Sequence, residues 1–378
     1  MKLETYQYTS AGWNTPLDAS LDSVSTMIVV FGSSDYEPYM PAINDLYRTF
    51  PESKITGCST AGEIFAEDVF DNSLSVAILK FRDVNLRLAS ERINSSEESF
   101  IIASDISNQL DAPGLRAVFV LTDGLFINGT KLAEGFNTLA DKGVMVTGGM
   151  SGDGSRFNNT WVLDNGQPKS HRVSAIGMYG DSLIYAHGSK GGWDIIKSDI
   201  QVSHAIGNVL YELNDQPALE FYRSHMGEKA DGLPATGLLF PLALKEEGAD
   251  GEVTVRTILS IDEEQQSITF AGTIPDGSSV QLMRANFDRL IEGAAGASQE
   301  ALSSITDNQE LLNIAISCVG RRLVLGDRSH EELESVCANL PQGTRQIGFY
   351  SYGELSPLTS GQCYLHNQTM TLTLIGER

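Results

Sequence analysis

Three times along the chain a glycine-rich turn ends in glycine next to an acid: Gly57-Cys58-Ser59-Thr60-Ala61-Gly62-Glu63, Thr147-Gly148-Gly149-Met150-Ser151-Gly152-Asp153 and Gly348-Phe349-Tyr350-Ser351-Tyr352-Gly353-Glu354. Glycine lets the backbone turn tightly and aim the neighbouring carboxylate. A turn that recurs in this way confines the chain to folds built from a repeated unit. Before the first turn, Met27 to Gly32 is a short apolar run that reads as a buried strand. Ile43, Leu46, Tyr47 and Phe50 then follow at helical spacing, with Pro41 suited to a first helical turn. Strand to turn takes about thirty residues, the length of a strand-helix-strand unit.

The second unit repeats the pattern, with a strand at Ala117 to Leu121, a helix marked by Leu132, Phe136 and Leu139, and a strand at Val144 to Val146. After each of these two turns the sequence predicts a hairpin. One joins Leu74 to Leu79 with Val84 to Leu88 around Arg82-Asp83, and the other joins Val173 to Tyr179 with Leu183 to Ala186 around Gly180-Asp181. A third, partial copy has Ile314 to Ile316 as its strand and a helix from Ser329 to Leu340, with Ser329 and Glu332 spaced as a capping box. The stretch from His204 to about Glu310 does not follow the pattern, although Asn214-Asp215-Gln216-Pro217 opens a helix through Tyr222. The expected fold is α/β, with mixed sheets from repeated strand-helix-strand-hairpin units in two tightly associated halves. Its divisions are an irregular segment over 1–24, a first domain over 25–205 and a second over 206–378.

Lys plus Arg number 26 against 49 for Asp plus Glu, a formal charge of -23. That field repels phosphate backbones and anionic lipid surfaces, which argues against nucleic-acid binding. No apolar run is long enough for membrane insertion, and Met1 to Tyr6 lacks the apolar core of a signal peptide. Cys58, Cys318, Cys337 and Cys363 show no C-x-x-C spacing and read as reduced thiols of a cytoplasmic protein.

In these motifs the chain resembles the FIST family of bacterial sensory proteins. Thr56 to Glu63, Leu121-Thr122-Asp123-Gly124 and Gly148 to Asp153 look like its N-terminal domain. Tyr211 to Ala218, Gly348 to Glu354 and His366-Asn367-Gln368-Thr369 look like its C-terminal domain. The resemblance implies a signal-transduction sensor for a small ligand, working with a separate histidine kinase or cyclic-di-GMP enzyme. A stand-alone chain of this kind is similar to the FIST proteins that bind haem b and sense nitric oxide in a two-component system. Others are thought to sense amino acids or related metabolites.

A haem iron needs an axial ligand, commonly imidazole. His366 is the first candidate, because it precedes an apolar strand and has Asn367, Gln368 and Thr369 beside it to fix its tautomer. His187 is the second and His204 the third, while His330 reads as solvated. Arg256 and Arg284 could each hold a carboxylate, whether a haem propionate or an amino acid. Glu63, Asp153 and Glu354 read first as turn-holding carboxylates, and Tyr352, Glu354, His366 and Asn367 as a pocket wall. A hydrolase using the three acids is the rival of another class, but the expectation is a non-enzyme, because no nucleophile-base pattern, metal-spaced histidines or phosphate loop is present.

Overall fold

The computed structural model describes residues 1–245, 253–305 and 310–378. Among them, three sheets share one plan. In the first, Thr26–Ser33 lies parallel to Lys54–Thr60 on one side and antiparallel to Leu74–Lys80 on the other, and Lys2–Thr9 pairs beyond that. In the second, Leu115–Thr122 has Met145–Met150 and Arg172–Tyr179 in those places, with Asn85–Arg92 outermost. In the third, Leu312–Cys318 has Arg345–Ser351 and Met370–Glu377, with Leu183–Lys190 outermost. Thr26–Ser33 and Leu312–Cys318 are buried at every position, which is why their centres, Met27 to Phe31 and Ile314 to Ile316, are continuous apolar runs rather than alternating ones. The sheets meet on Phe31, Phe119, Ile316 and Phe349, with the Phe31 and Phe349 rings 4.6 Å apart.

The repeated turns are where the chain leaves its own sheet for a neighbour's. After the first turn, Glu63–Phe65 pairs with Arg345–Ser351 of the third sheet. After the third turn, Gly353–Pro357 pairs with Met145–Met150 of the second, and after the second turn Val162 pairs with Cys58 of the first. Three backbone hydrogen bonds close the exchange: Ala61 N to Tyr350 O at 2.8 Å, Tyr352 N to Met150 O at 3.2 Å, and Gly152 N to Ser59 O at 3.0 Å.

This ring makes Gly57, Gly148 and Gly348 the equivalent glycines, each opposite a residue of the parallel partner strand. A side chain does not fit there: a Cβ at Gly148 would lie 1.9 Å from Val120 O, and one at Gly348 1.8 Å from Ala315 O. The alignment read from sequence is therefore corrected by one residue. Gly148, not Thr147, matches Gly57, so Asp153 is displaced by one position from Glu63 and Glu354.

Three further expectations are corrected. Neither predicted hairpin forms, because in both pairs the second strand joins a different sheet. The crossover at Arg82-Asp83 is held instead by the Glu377 carboxylate, which accepts from both backbone amides at 2.7–3.0 Å. The third copy is complete, but it is interrupted between Leu183–Lys190 and the helix Phe287–Leu302, where a separate β-rich insert spans Asp194 to Arg284. The insert packs its own core around Val202, Leu210, Tyr222, Phe270 and Leu282. The helix expected after Asn214 to Pro217 forms as Ala218–Met226.

Ser329 and Glu332 make no capping box. Ser329 Oγ donates to Gly326 O, and Glu332 is fully buried, taking Arg321 at 2.8 Å, Ser317 Oγ at 2.9 Å and Tyr350 OH at 2.8 Å. Arg321, equally buried, also donates to Leu290 O at 2.8 Å. The spacing that mimics a cap places Glu332 on the inner face, where a buried cation claims it.

Candidate ligand site between the body and the insert

Where the carboxyl ends of the parallel strands in the second and third sheets face the insert, they leave a cleft of about 790 Å³. Open α/β sheets bind ligands at this edge, because the strand ends splay and the connecting loops leave room. Gly124, Met150, Cys318 and Gly320 form the floor at the strand ends, and Leu238, Thr257, Ile258 and Gly272 of the insert form the opposite wall. The floor is tight by composition: a Cβ at Gly124 would meet Ser151 O at 1.9 Å. Phe157 and Tyr352 stand at one side as a stacked pair with centroids 4.4 Å apart.

Among the described residues, none that lines the cleft is charged. Several buried polar atoms lack partners instead. Asn367, 1% exposed, has no partner for Oδ1, and Thr257, 6% exposed, has none for Oγ1. Gln368, one residue on and fully buried, has none for either amide atom, and its side chain lies against Gly320, where a Cβ would come within 2.5 Å of Nε2. A buried polar atom left unpaired costs about 1–3 kcal/mol.

Behind the wall lies Glu354. Its carboxyl group accepts from Ser351 Oγ at 2.6 Å, Thr369 Oγ1 at 2.9 Å and Thr369 N at 3.2 Å, so it holds the end of the loop that carries Asn367 and Gln368. Burial pushes its pKa up to about 8 against the pull of those donors. Glu63 holds its own turn in the same way, through Thr60 Oγ1 and through Ser73 N and Oγ at 2.9 Å, and burial raises it to about 7. The displaced Asp153 does something else. It accepts from the amides of Phe157, Asn158 and Asn159 at 2.8–2.9 Å and from Tyr352 OH. Burial opposes its charge, but these donors outweigh it and lower its pKa. They also fasten the Phe157 loop to the third sheet at the cleft. Asp123 takes over the lost role, accepting from His171 N at 2.8 Å just before Arg172–Tyr179, where Ser73 and Thr369 precede the equivalent strands.

The structure thus brings Tyr352 and Asn367 together at the cleft, with Asp153 and Glu354 directly behind them. Glu63 belongs to another turn, and no two of the three acids share a hydrogen-bond partner. His366 and His187 meet on Ser356, one with Nε2 3.1 Å from its carbonyl oxygen and the other with Nδ1 3.2 Å from its hydroxyl, but neither lines the cleft. His204 is half exposed in the insert, 4.0 Å from Asp276 and stacked on Tyr211. Arg256 is buried and donates to Leu365 O at 3.0 Å and Thr273 O at 3.2 Å, so it clamps the insert to the body. Arg284 is exposed on a strand opposite Asp194.

Haem does not fit these surroundings. Among the described residues, the cleft lining offers no imidazole for iron and no cation for propionates, and burial pushes the Cys318 thiol far up, away from thiolate. Sequence reasoning missed Thr257, Phe157, Cys318 and Gly320. A glycine soon after an apolar strand was the available signal for Gly320; Thr257 lies in the insert, outside the repeated pattern.

A comparison with proteins of curated function finds no match. Among solved structures, the chain is similar to cyanuric acid hydrolase from A. caulinodans at 13% identity, over 78% of this chain and 99% of that one. The TM-score is 0.19, too low to bear on fold or function. No helix among the described residues is long and apolar enough to cross a membrane. The FIST N domain matches residues 26–216 and the FIST C domain residues 218–357. Together with the motifs that build both the repeated turns and the cleft, these matches show that the chain belongs to the FIST family of signal-transduction sensor domains, which bind small ligands.

Proposed function

We propose that this protein senses a small ligand held in the cleft between the three-sheet body and the insert, and that a separate signalling enzyme, a histidine kinase or a cyclic-di-GMP enzyme, reads the bound state. The observation that carries this reading is a largely apolar cleft lined both by the strand ends of the body and by the insert. A ligand that bridges the two walls shifts the equilibrium between their relative positions only if it binds one arrangement better. The output enzyme then responds to that arrangement. The nitric oxide and haem version finds no ligand set in the cleft. An amino-acid version would need its charges met by groups other than Arg256 and Arg284. A hydrolase reading draws no support from the acids, since Glu63 and Glu354 each hold their own turn and Asp153 holds the Phe157 loop.

The experiment is a thermal-shift screen of neutral and charged metabolites on the wild type and on Leu323→Trp. Leu323 lines the cleft and is 47% exposed, so a larger ring there fills the space without disturbing the core. A ligand that stabilises the wild type and leaves Leu323→Trp unshifted supports the site. Equal stabilisation of both proteins places binding elsewhere and ends this reading. Expression with haem supply and an absorption spectrum tests the haem version, and a Soret band that moves with nitric oxide would restore it.

A further inference from the structure

We infer that the ligand carries an uncharged, flat ring that stacks on Phe157 at the side of the cleft. This rests on the cleft being the ligand site. Phe157 lines the cleft and is 48% exposed, although one of its faces is already covered by Tyr352, whose ring lies 4.4 Å away and within 16° of parallel. The open face is therefore the one turned from Tyr352. Aromatic faces attract other flat rings in offset stacks, beyond what the burial of area alone supplies. The cleft holds about 790 Å³, the size that takes a small molecule rather than a folded element of a partner.

Asp153 fixes both members of this stack. Its buried carboxylate accepts from Phe157 N and from Tyr352 OH, and the amides of Asn158 and Asn159 complete the grip. Phe157 also has a φ of +51°, a left-handed conformation that a bulky side chain rarely adopts. A half-exposed ring adds little to the core, yet a buried carboxylate and a strained backbone hold it in one place over a cavity. Strain of this kind persists where the surroundings impose it, and it gathers at ligand clamps. The lining sets the charge of what stacks there. Charged residues make up 20% of the chain, but among the described residues none lines the cleft. A carboxylate or ammonium group carried into it would lose its hydration and meet no opposite charge.

Four probes separate ring shape from charge: N-benzylhexanamide, N-(cyclohexylmethyl)hexanamide, the anion N-benzyladipamate and the cation N-benzylhexylamine, titrated by NMR at about pH 7. The benzyl amide is expected to bind about three- to tenfold more tightly than the cyclohexyl amide, the range of an aromatic stack, although cyclohexyl is the more hydrophobic group. Both charged probes are expected to bind at least about tenfold more weakly than the benzyl amide. Phe157→Leu keeps an apolar side chain and should erase the preference for the flat ring. Phe157→Tyr keeps the ring and should retain it, which separates lost stacking from a loosened loop. Equal affinities of the two amides, a preference that survives Phe157→Leu, or tighter binding of a charged probe, each abolished in Leu323→Trp, would overturn the stacked neutral ring and leave the cleft standing. Binding that Leu323→Trp leaves unchanged would overturn the cleft itself as the site. Absence of binding by all four probes at millimolar concentration would overturn the ring inference.

Discussion

Replacing Glu354 with glutamine should make the protein more stable at neutral and alkaline pH. Burial lifts this carboxyl from an ordinary 4.5 to about 8. The folded protein therefore keeps a proton that the unfolded chain releases above the ordinary value. The stabilisation from that proton is complete at low pH and is lost as pH rises from 4.5 through 8. Each pKa unit is worth about 1.4 kcal/mol, so the loss across this window is about 5 kcal/mol, and about 3 kcal/mol of it has occurred by pH 7. Glutamine has no proton to lose, and its amide can still accept from and donate to Ser351 and Thr369. A chain of this length unfolds with an entropy of about 0.8 kcal/mol per degree, so Glu354→Gln should melt about 4–6 °C higher than the wild type at pH 8. At pH 5 the two should melt nearly together. Scanning calorimetry from pH 5 to 9 measures both. Parallel decline in the two proteins, or a variant less stable at pH 8, would show that Glu354 is not the buried proton carrier.

Glu63→Gln should act in the same direction over the narrower window up to about 7, recovering about 3 kcal/mol by pH 8, and combining it with Glu354→Gln should flatten the stability profile further. Gly348→Ala should prevent folding or give insoluble protein, because its Cβ would meet Ala315 O at 1.8 Å, whereas Gly296→Ala, in a helix with only Lys190 Cγ at 3.7 Å, should stabilise by about 0.5–1 kcal/mol in denaturant titration. Arg321→Met should cost about 3–5 kcal/mol by stranding the Glu332 charge, and adding Glu332→Leu should recover much of it; a double variant no better than the single would refute the ion pair as the cause.

The repeated units were legible because each requires the same local devices: a buried apolar strand, a helix and a turn where only glycine clears the neighbouring strand. What followed each turn was not legible. Leu74 to Leu79 and Val84 to Leu88 look like a hairpin at any range of sequence reasoning, and only the packing of three sheets sends them to different partners. The acids were found by their place after glycine, but the missing residue in the second turn, which frees Asp153 to hold Phe157 and Tyr352, became visible only through the hydrogen-bonded ring. The cleft was half legible. Tyr352 and Asn367 sit in motifs that stand out, while Thr257 belongs to an insert with no counterpart in the repeat. Arg256 reads from the sequence as a holder of a carboxylate, whereas its work is to clamp two backbones.

The exchange of strands among the sheets has a consequence for how the molecule comes apart. No unit completes its own sheet, since each supplies an edge to one neighbour and takes an edge from the other. Melting any one of them strips two sheets at once and leaves bare strand edges. The body is therefore expected to unfold as a single cooperative block, while the insert, with its own core, opens as a separate block at lower free energy. Hydrogen exchange should then show two levels of amide protection, with the ring amides of Ala61, Gly152 and Tyr352 in the upper one. The cleft lies on the seam between the two blocks.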